Sequence, residues 1–203
     1  MRLLAQLLSY IGHPLLMPTY IYAIVFLNHP LYIKDQEQYL ILIGLIFFIT
    51  GFIPAWATFF LFKAGVVKSL TLSELHERKL PFLITSILYV IGSYLMAQAT
   101  FLNKEFVVFM YCIAFNVTVT GLVSSRWKIS AHAVGAGGFL GILTYVNFTF
   151  SEEIFQLVYL LGIPVMGALL WARLYLHAHK PRQVYFGFIG AFLVCFILPY
   201  FLI

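Results

Sequence analysis

Charge is the scarcest property of this chain. Only 9% of its 203 residues are Asp, Glu, Lys or Arg, against about 25% in a soluble domain. That shortage excludes an ordinary water-soluble globule. Cysteine is nearly absent too: Cys112 and Cys195 both lie inside apolar runs. Neither a disulfide framework nor a paired metal-ligand spacing can be built from them, so they read as packed thiols. There is no cluster of carboxylates with metal-binding spacing. No basic helix with interleaved aromatics is present, which sets nucleic acid aside as a partner. The chain also lacks an internal repeat, a low-complexity linker and any polar stretch long enough to fold alone. Residues 1–203 are therefore expected to form a single integral membrane domain. The Met1-Arg2-Leu3-Leu4 start lacks a small-residue cleavage site and its apolar run is broken by Pro14 and Pro18, so it is expected to be retained.

Long apolar runs are what the chain has in abundance. Hydrophobic residues make up 63% of it and the mean hydropathy is +0.98. A spanning helix needs about 20 apolar residues. Runs of that kind cover residues 7–27, 39–62, 81–101, 105–125, 133–150, 154–176 and 184–203. The expected fold is all-α, a polytopic transmembrane bundle of six or seven spanning helices within a lipid bilayer. The open case is 7–27, where Pro14 and Pro18 predict a kink or a re-entrant segment. Short connectors at Asn103-Lys104 and at Ser151-Glu152-Glu153 predict antiparallel helix pairs.

Three polar islands interrupt these runs: Glu77 to Pro81, Lys128 to His132, and Arg173 through His179 to Gln183. Two spans separate each island from the next, so all three fall on one face of the bundle. That face carries ten of the twelve Lys and Arg, leaving Lys34 and Lys104 on the other. The bias points to the cytoplasmic side, and removing Arg78, Lys79, Lys128 and Arg173 still leaves six against two.

Ionisable groups at membrane depth are costly and point to function, and Arg, Ser and His together suit a tetrahedral anion. His179 and Gln183 lie four apart on one helical face, and Pro181 suits the first turn of the last helix. Gln183 is expected to hold the ring of His179 and leave its other nitrogen free as a nucleophile or base. Ser130 and His132 precede the small residues Gly135, Gly137 and Gly138 at a helix start, where N–H groups favour an anion; His132 is placed to donate a proton. Arg78 is the candidate phosphoryl clamp of the first island, with Pro81 expected at the start of its helix; Lys79, Glu77 and Lys68 are candidates for its surroundings. Each island also has a structural reading: flanking cations as topology anchors, Ser130 as a helix cap, His177 and His179 as interfacial histidines. What the structural readings explain less well is the order of the three together.

That order, Arg then Pro, Ser-x-His, and Arg-(five)-His, resembles the type 2 phosphatidic acid phosphatase and vanadium haloperoxidase superfamily. Its signatures are Lys-(six)-Arg-Pro, Pro-Ser-Gly-His and Ser-Arg-(five)-His-(three)-Asp. Arg173 and His179 keep the third spacing, Ser130 and His132 keep the second, and Arg78 with Pro81 follows the first more loosely. The resemblance implies a phosphatase-like core over about 63–203 and hydrolysis of a lipid phosphate monoester or prenyl diphosphate through phosphohistidine. It implies His179 as nucleophile and His132 as acid. Gln183 would orient the nucleophile, and Arg78, Arg173, Ser130, Lys79 and Lys128 would be phosphate ligands. No metal or other cofactor is implied, and the partner is a membrane lipid or isoprenoid phosphate. Family habit implies a bacterial inner membrane with the site on the extracytoplasmic face, opposite to the charge count.

Several positions depart from the signatures. Gln183 replaces the last acid, Thr71 falls where the first Lys belongs, Ile129 and Ala131 flank Ser130, and Ala172 precedes Arg173. An amide oxygen accepts from an imidazole N–H but does not stabilise imidazolium as a carboxylate does. The alternative is therefore a catalytically impaired lipid-phosphate binder or scaffold of the same fold.

Overall fold

The computed structural model of the chain describes residues 1–28, 36–72, 74–99, 102–150 and 153–203. Lys34, Ser151, Glu152 and the end of the 81–101 run lie outside the described residues. Within them the architecture is all α, with no strand. The helices are α1 (Arg2–Ile11), α2 (Met17–Asn28), α3 (Gln36–Phe47), α4 (Ile53–Lys63), α5 (Leu75–Gln98), α6 (Lys104–Ser124), α7 (Ala131–Phe150), α8 (Glu153–Tyr175) and α9 (Pro181–Leu202). A π-helical turn, Phe48–Phe52, welds α3 to α4.

Six segments are long and apolar enough to cross a bilayer: Leu40–Lys63, which takes in most of α3, the π turn and α4, and then α5, α6, α7, α8 and α9. The protein is an integral membrane helical bundle. The first apolar run does not form a seventh span. Its helix stops at Ile11 and restarts at Met17, because Pro14 and Pro18 cannot donate to the ladder of a continuous helix. At 1.5 Å per residue, 10 and 12 residues give two rods too short to cross the hydrocarbon.

α7 is the central helix, buried along most of its length. It packs chiefly against α9, with α8, α2 and α6 around it. The α7–α9 approach is so close that a Cβ on Gly137 would lie 2.1 Å from the Phe188 carbonyl oxygen, and one on Gly141 2.6 Å from that of Phe192. Backbones pressed together in this way are the usual means of joining helices where lipid offers no hydrophobic contrast. α5 and α6 pair across their short connector, and α1 lies against α8. Leu83, Ile87, Ile91 and Leu95 of α5 are exposed, as a lipid-facing stripe should be. Hydroxyls inside the spans bond back within their own helices: Thr85 to the carbonyl of Pro81, Ser93 to Tyr89, Thr144 to Leu140.

Two prolines shape the site's surroundings. Pro54 has no N–H to offer the Thr50 carbonyl four residues back, and the Tyr89 hydroxyl of α5 donates to that oxygen at 2.9 Å instead. Pro81 does not start its helix as expected. α5 begins six residues earlier, at Leu75, because the polar turn 75–80 continues the helix beyond the apolar run, with Glu74 extended as its cap residue. Arg78 is thereby fixed in a helical first turn and not in a loop.

Candidate functional site

The three islands meet. Arg78 Nη1 donates to the Ile129 carbonyl at 3.0 Å, the Ser130 N–H donates to the Gln183 carbonyl at 3.2 Å, and His179 Nδ1 lies 3.2 Å from the Lys128 carbonyl. Residues from the starts of α5 and α7 and from the α8–α9 turn thus form one cluster, as span parity predicts.

The cluster roofs a cavity of about 660 Å³, walled by Arg78, His132, Arg173 and His179. No acidic side chain lines it among the described residues. Arg78 is buried, yet its partners are carbonyls: Nε donates to Leu72 at 2.9 Å while Nη1 holds Ile129. Arg173 Nη1 donates to Ser9 Oγ at 3.0 Å, and its Nε is buried with no partner. Among the described residues the hydrogen-bond partners of the two guanidinium groups are carbonyls and a hydroxyl, not carboxylates, an arrangement suited to an anion.

The imidazoles can be assigned from their partners. A carbonyl oxygen only accepts, so His179 Nδ1 carries the proton and its Nε2 is the bare nitrogen. Burial first, then the Arg173 and Arg78 charges, lowers the His179 pKa to about 4, so the ring is neutral at physiological pH. His132 Nε2 donates to the Ser9 carbonyl at 3.1 Å, which leaves Nδ1 as the nitrogen able to exchange a proton. His179 also faces a second, outer pocket of about 570 Å³ with Lys128, His177 and Lys180. It stands in the wall between the interior cavity and that outer pocket.

Several expected site residues do other work. Gln183 does not hold His179: its Oε1 accepts the Lys180 N–H at 2.9 Å, closing a capping box at the start of α9. The extended Lys180 cap brings that N–H within reach of the third helical residue, and the amide is captured there. Ser130 is fully buried and caps α7, its Oγ accepting the Ala133 N–H at 3.4 Å, and it does not line the cavity. Lys79 is exposed and lines neither pocket. Lys128 contributes its carbonyl to His179 and lines the outer pocket. Glu77 Oε1 accepts the Lys68 N–H at 2.6 Å and pins the α4–α5 loop. Thr71 of that loop lines the cavity.

Comparison with protein-family models, with curated proteins and with solved structures finds no match for this chain.

The sequence reading missed a fourth contributor, the break between α1 and α2. Ser9 serves both Arg173 and His132. His13 lines the same cavity, with its ring centroid 5.5 Å from that of His132 in an edge-on contact. Its Nδ1 accepts the Leu15 N–H at 3.3 Å, so the neutral ring presents Nε2–H. Burial, then the Arg173 charge, lowers the pKa of His13. The signal available was a histidine beside Gly12 and Pro14 inside a broken apolar run. Gly12 leaves room there: a Cβ would fall 2.7 Å from a Leu169 methyl and 2.9 Å from the Leu8 carbonyl oxygen.

Proposed function

We propose that this membrane protein is a phosphatase that hydrolyses a lipid phosphate monoester or prenyl diphosphate through a phosphohistidine. The observation that carries this reading is the meeting of Arg78, Arg173, His132 and His179 around one cavity that no acidic side chain lines among the described residues. The phosphate binds between the two guanidinium groups, which complement the charge of the transition state. His179 Nε2 attacks phosphorus, the P–O bond to the lipid breaks, and the departing oxygen takes from His132 Nδ1 the proton that the monoanionic phosphate gave it on binding. Water then attacks the phosphohistidine, His132 accepts the water proton, and the N–P bond breaks to release inorganic phosphate. Water reaches the intermediate from the outer pocket on the other side of His179. The excess of Lys and Arg around the islands favours the cytoplasmic face for this chemistry, against the family habit; cysteines placed at Ser69 and Ser151 and labelled from either side test that orientation.

One observation favours a second reading, a lipid-phosphate binder without turnover. The partner of His179 Nδ1 is a backbone carbonyl and not a carboxylate, so imidazolium is stabilised less. Phosphate release from a panel of lipid phosphates by reconstituted protein separates the two, measured beside His179→Ala and His132→Ala. Equal release by all three proteins rejects the mechanism, and retained binding without release favours the binder.

A further inference from the structure

We propose that the cavity below the cationic cluster takes a single hydrocarbon chain, so that the ligand is a one-chain phosphate amphiphile and not a two-chain phospholipid. This deepens the reading above, since it rests on the phosphate sitting between Arg78 and Arg173. The cavity does not end at those residues. It follows α5 from Arg78 through Phe82 and Thr85 to Tyr89, about 16 Å at 1.5 Å per residue. The lining turns apolar along the way, and Asn116 and Cys195 line the cavity at its deep end, where Asn116 Nδ2 donates to the Cys195 thiol at 3.2 Å.

Volume decides how much tail can enter. At about 30 Å³ per water-sized group, 660 Å³ holds roughly 22 such groups. A phosphate uses five of them, which leaves about seventeen for carbon. That suits one acyl or isoprenoid chain. Phosphatidate, with two such chains and a glycerol, needs about twice the space. Transfer of a tail from lipid against the apolar side chains of this cavity brings little hydrophobic gain, because lipid tails are as apolar as those side chains. Selection therefore works by exclusion: chains that fit bind alike, and chains that are too long cannot seat their phosphate. Gly138 stands beside the deep end, where a Cβ would lie 3.5 Å from the Cys195 sulfur and 3.9 Å from Asn116 Nδ2. A leucine there adds four carbons to that end.

The test is competition against radiolabelled hexadecyl phosphate bound to the full-length protein in phosphatidylcholine vesicles. Competitors are monoalkyl phosphates of about 8 to 24 carbons, prenyl phosphates of matched length, and dioleoyl phosphatidate. The cavity predicts near-equal competition up to a length close to that estimate, and at least tenfold weaker competition by longer chains and by phosphatidate. Prenyl and alkyl series falling off together is also expected; a preference for one identifies the natural chain. Gly138→Leu should move the cut-off about four carbons shorter without weakening octyl phosphate. Val117→Phe, in the same lining, should do likewise if the first variant does not fold. Phosphatidate competing as well as hexadecyl phosphate, absence of a length cut-off, or failure of hexadecyl phosphate to bind each overturns the proposal. Binding is read on the His179→Ala protein, which lacks the proposed nucleophile and does not consume the ligand, and release on the unaltered protein. Intact binding with no phosphate release therefore defeats only the catalytic reading, and release from phosphatidate at the rate for hexadecyl phosphate defeats only this one.

Discussion

His179 rests its Nδ1 on the backbone carbonyl of Lys128, 3.2 Å away. The second and third islands are thereby coupled through the main chain, and a backbone carbonyl, not a side chain, orients the imidazole proposed as nucleophile. Gln183, expected in that role, caps α9. Gln183→Ala is therefore expected to leave phosphate release within about threefold while lowering stability by about 1 kcal/mol through the lost cap. Gln183→Asp should bring no rate gain, since position 183 faces Lys180. Steady-state rates and thermal unfolding of the two variants check both statements.

The neutral state of His179 has a signed consequence for pH. Its pKa is lowered from 6.5 to about 4 by burial and by Arg173 and Arg78. The acid limb of kcat/KM, which reports the free protein, should fall near pH 4 instead of 6.5. A bound phosphate offsets the two guanidinium charges, so the limb in kcat should lie higher. Arg173→Ala removes one of the lowering causes and should move the kcat/KM limb upward. In the unfolded chain His179 titrates near its ordinary value of 6.5. Between 6.5 and 4 the unfolded state binds more protons, so stability falls as pH falls through that window. His13 is shifted in the same direction and should add to it.

Arg173 joins the proposed phosphate site to the α1–α2 break through Ser9. Arg173→Lys keeps the charge but not the planar fork, and should lower kcat/KM by about 10²-fold, the usual cost of one lost transition-state donor. Arg78→Lys should cost activity and stability together, because the carbonyls of Leu72 and Ile129 lose their donors. An Arg173→Lys protein with unchanged kcat/KM on the preferred lipid phosphate would remove Arg173 from the site.

The spans and the islands were legible because both follow from large energies. Charge is excluded from hydrocarbon and backbone must be satisfied within it, so apolar runs of the right length mark helices to within about three residues, except at the start of α5 and in the broken 7–27 run. Parity of spans then brings Arg78, His132 and His179 to one face without any knowledge of packing. The details that failed depend on small, local energies. The Gln183 amide had two acceptable partners, the imidazole of His179 and the Lys180 N–H, and spacing alone does not choose between them. The Ser130 hydroxyl had a cap and a ligand to choose between, and took the cap. His13 was silent because its importance comes from docking of the α1–α2 break, a contact 119 positions from His132 that carries no periodic signal.

The contribution of that break can be tested at His13 and Ser9. His13→Phe preserves an aromatic ring against His132 but removes the Nε2–H that the cavity sees. It should reduce kcat/KM about tenfold with little change in thermal unfolding. Ser9→Ala removes the hydroxyl that fixes Arg173 while leaving the Ser9 carbonyl on His132. Its effect should be smaller than that of Arg173→Lys and should be absent in an Arg173→Lys background, since the partner interaction is already altered. Full additivity of the two changes in a double-mutant cycle would show that Ser9 and Arg173 act separately.

The α7–α9 contact carries the frame on which His132 and His179 are held, and its tolerance is set by two glycines. A methyl at Gly137 meets the Phe188 carbonyl oxygen at 2.1 Å, a backbone atom that cannot move unless α9 moves with it. Gly137→Ala should therefore destabilise by about 1–3 kcal/mol or more, as overpacking does. Because α9 starts two residues after His179, a displaced α9 also shifts the proposed nucleophile, and activity should fall before the fold is lost. Gly190→Ala is the matched control. Nothing lies within 4 Å of a Cβ there, so that change should be neutral or stabilise the helix by about 0.5–1 kcal/mol. Thermal unfolding in detergent, read beside phosphate release, separates the two outcomes; equal behaviour of the two alanine variants would mean that α7 and α9 are not in backbone contact.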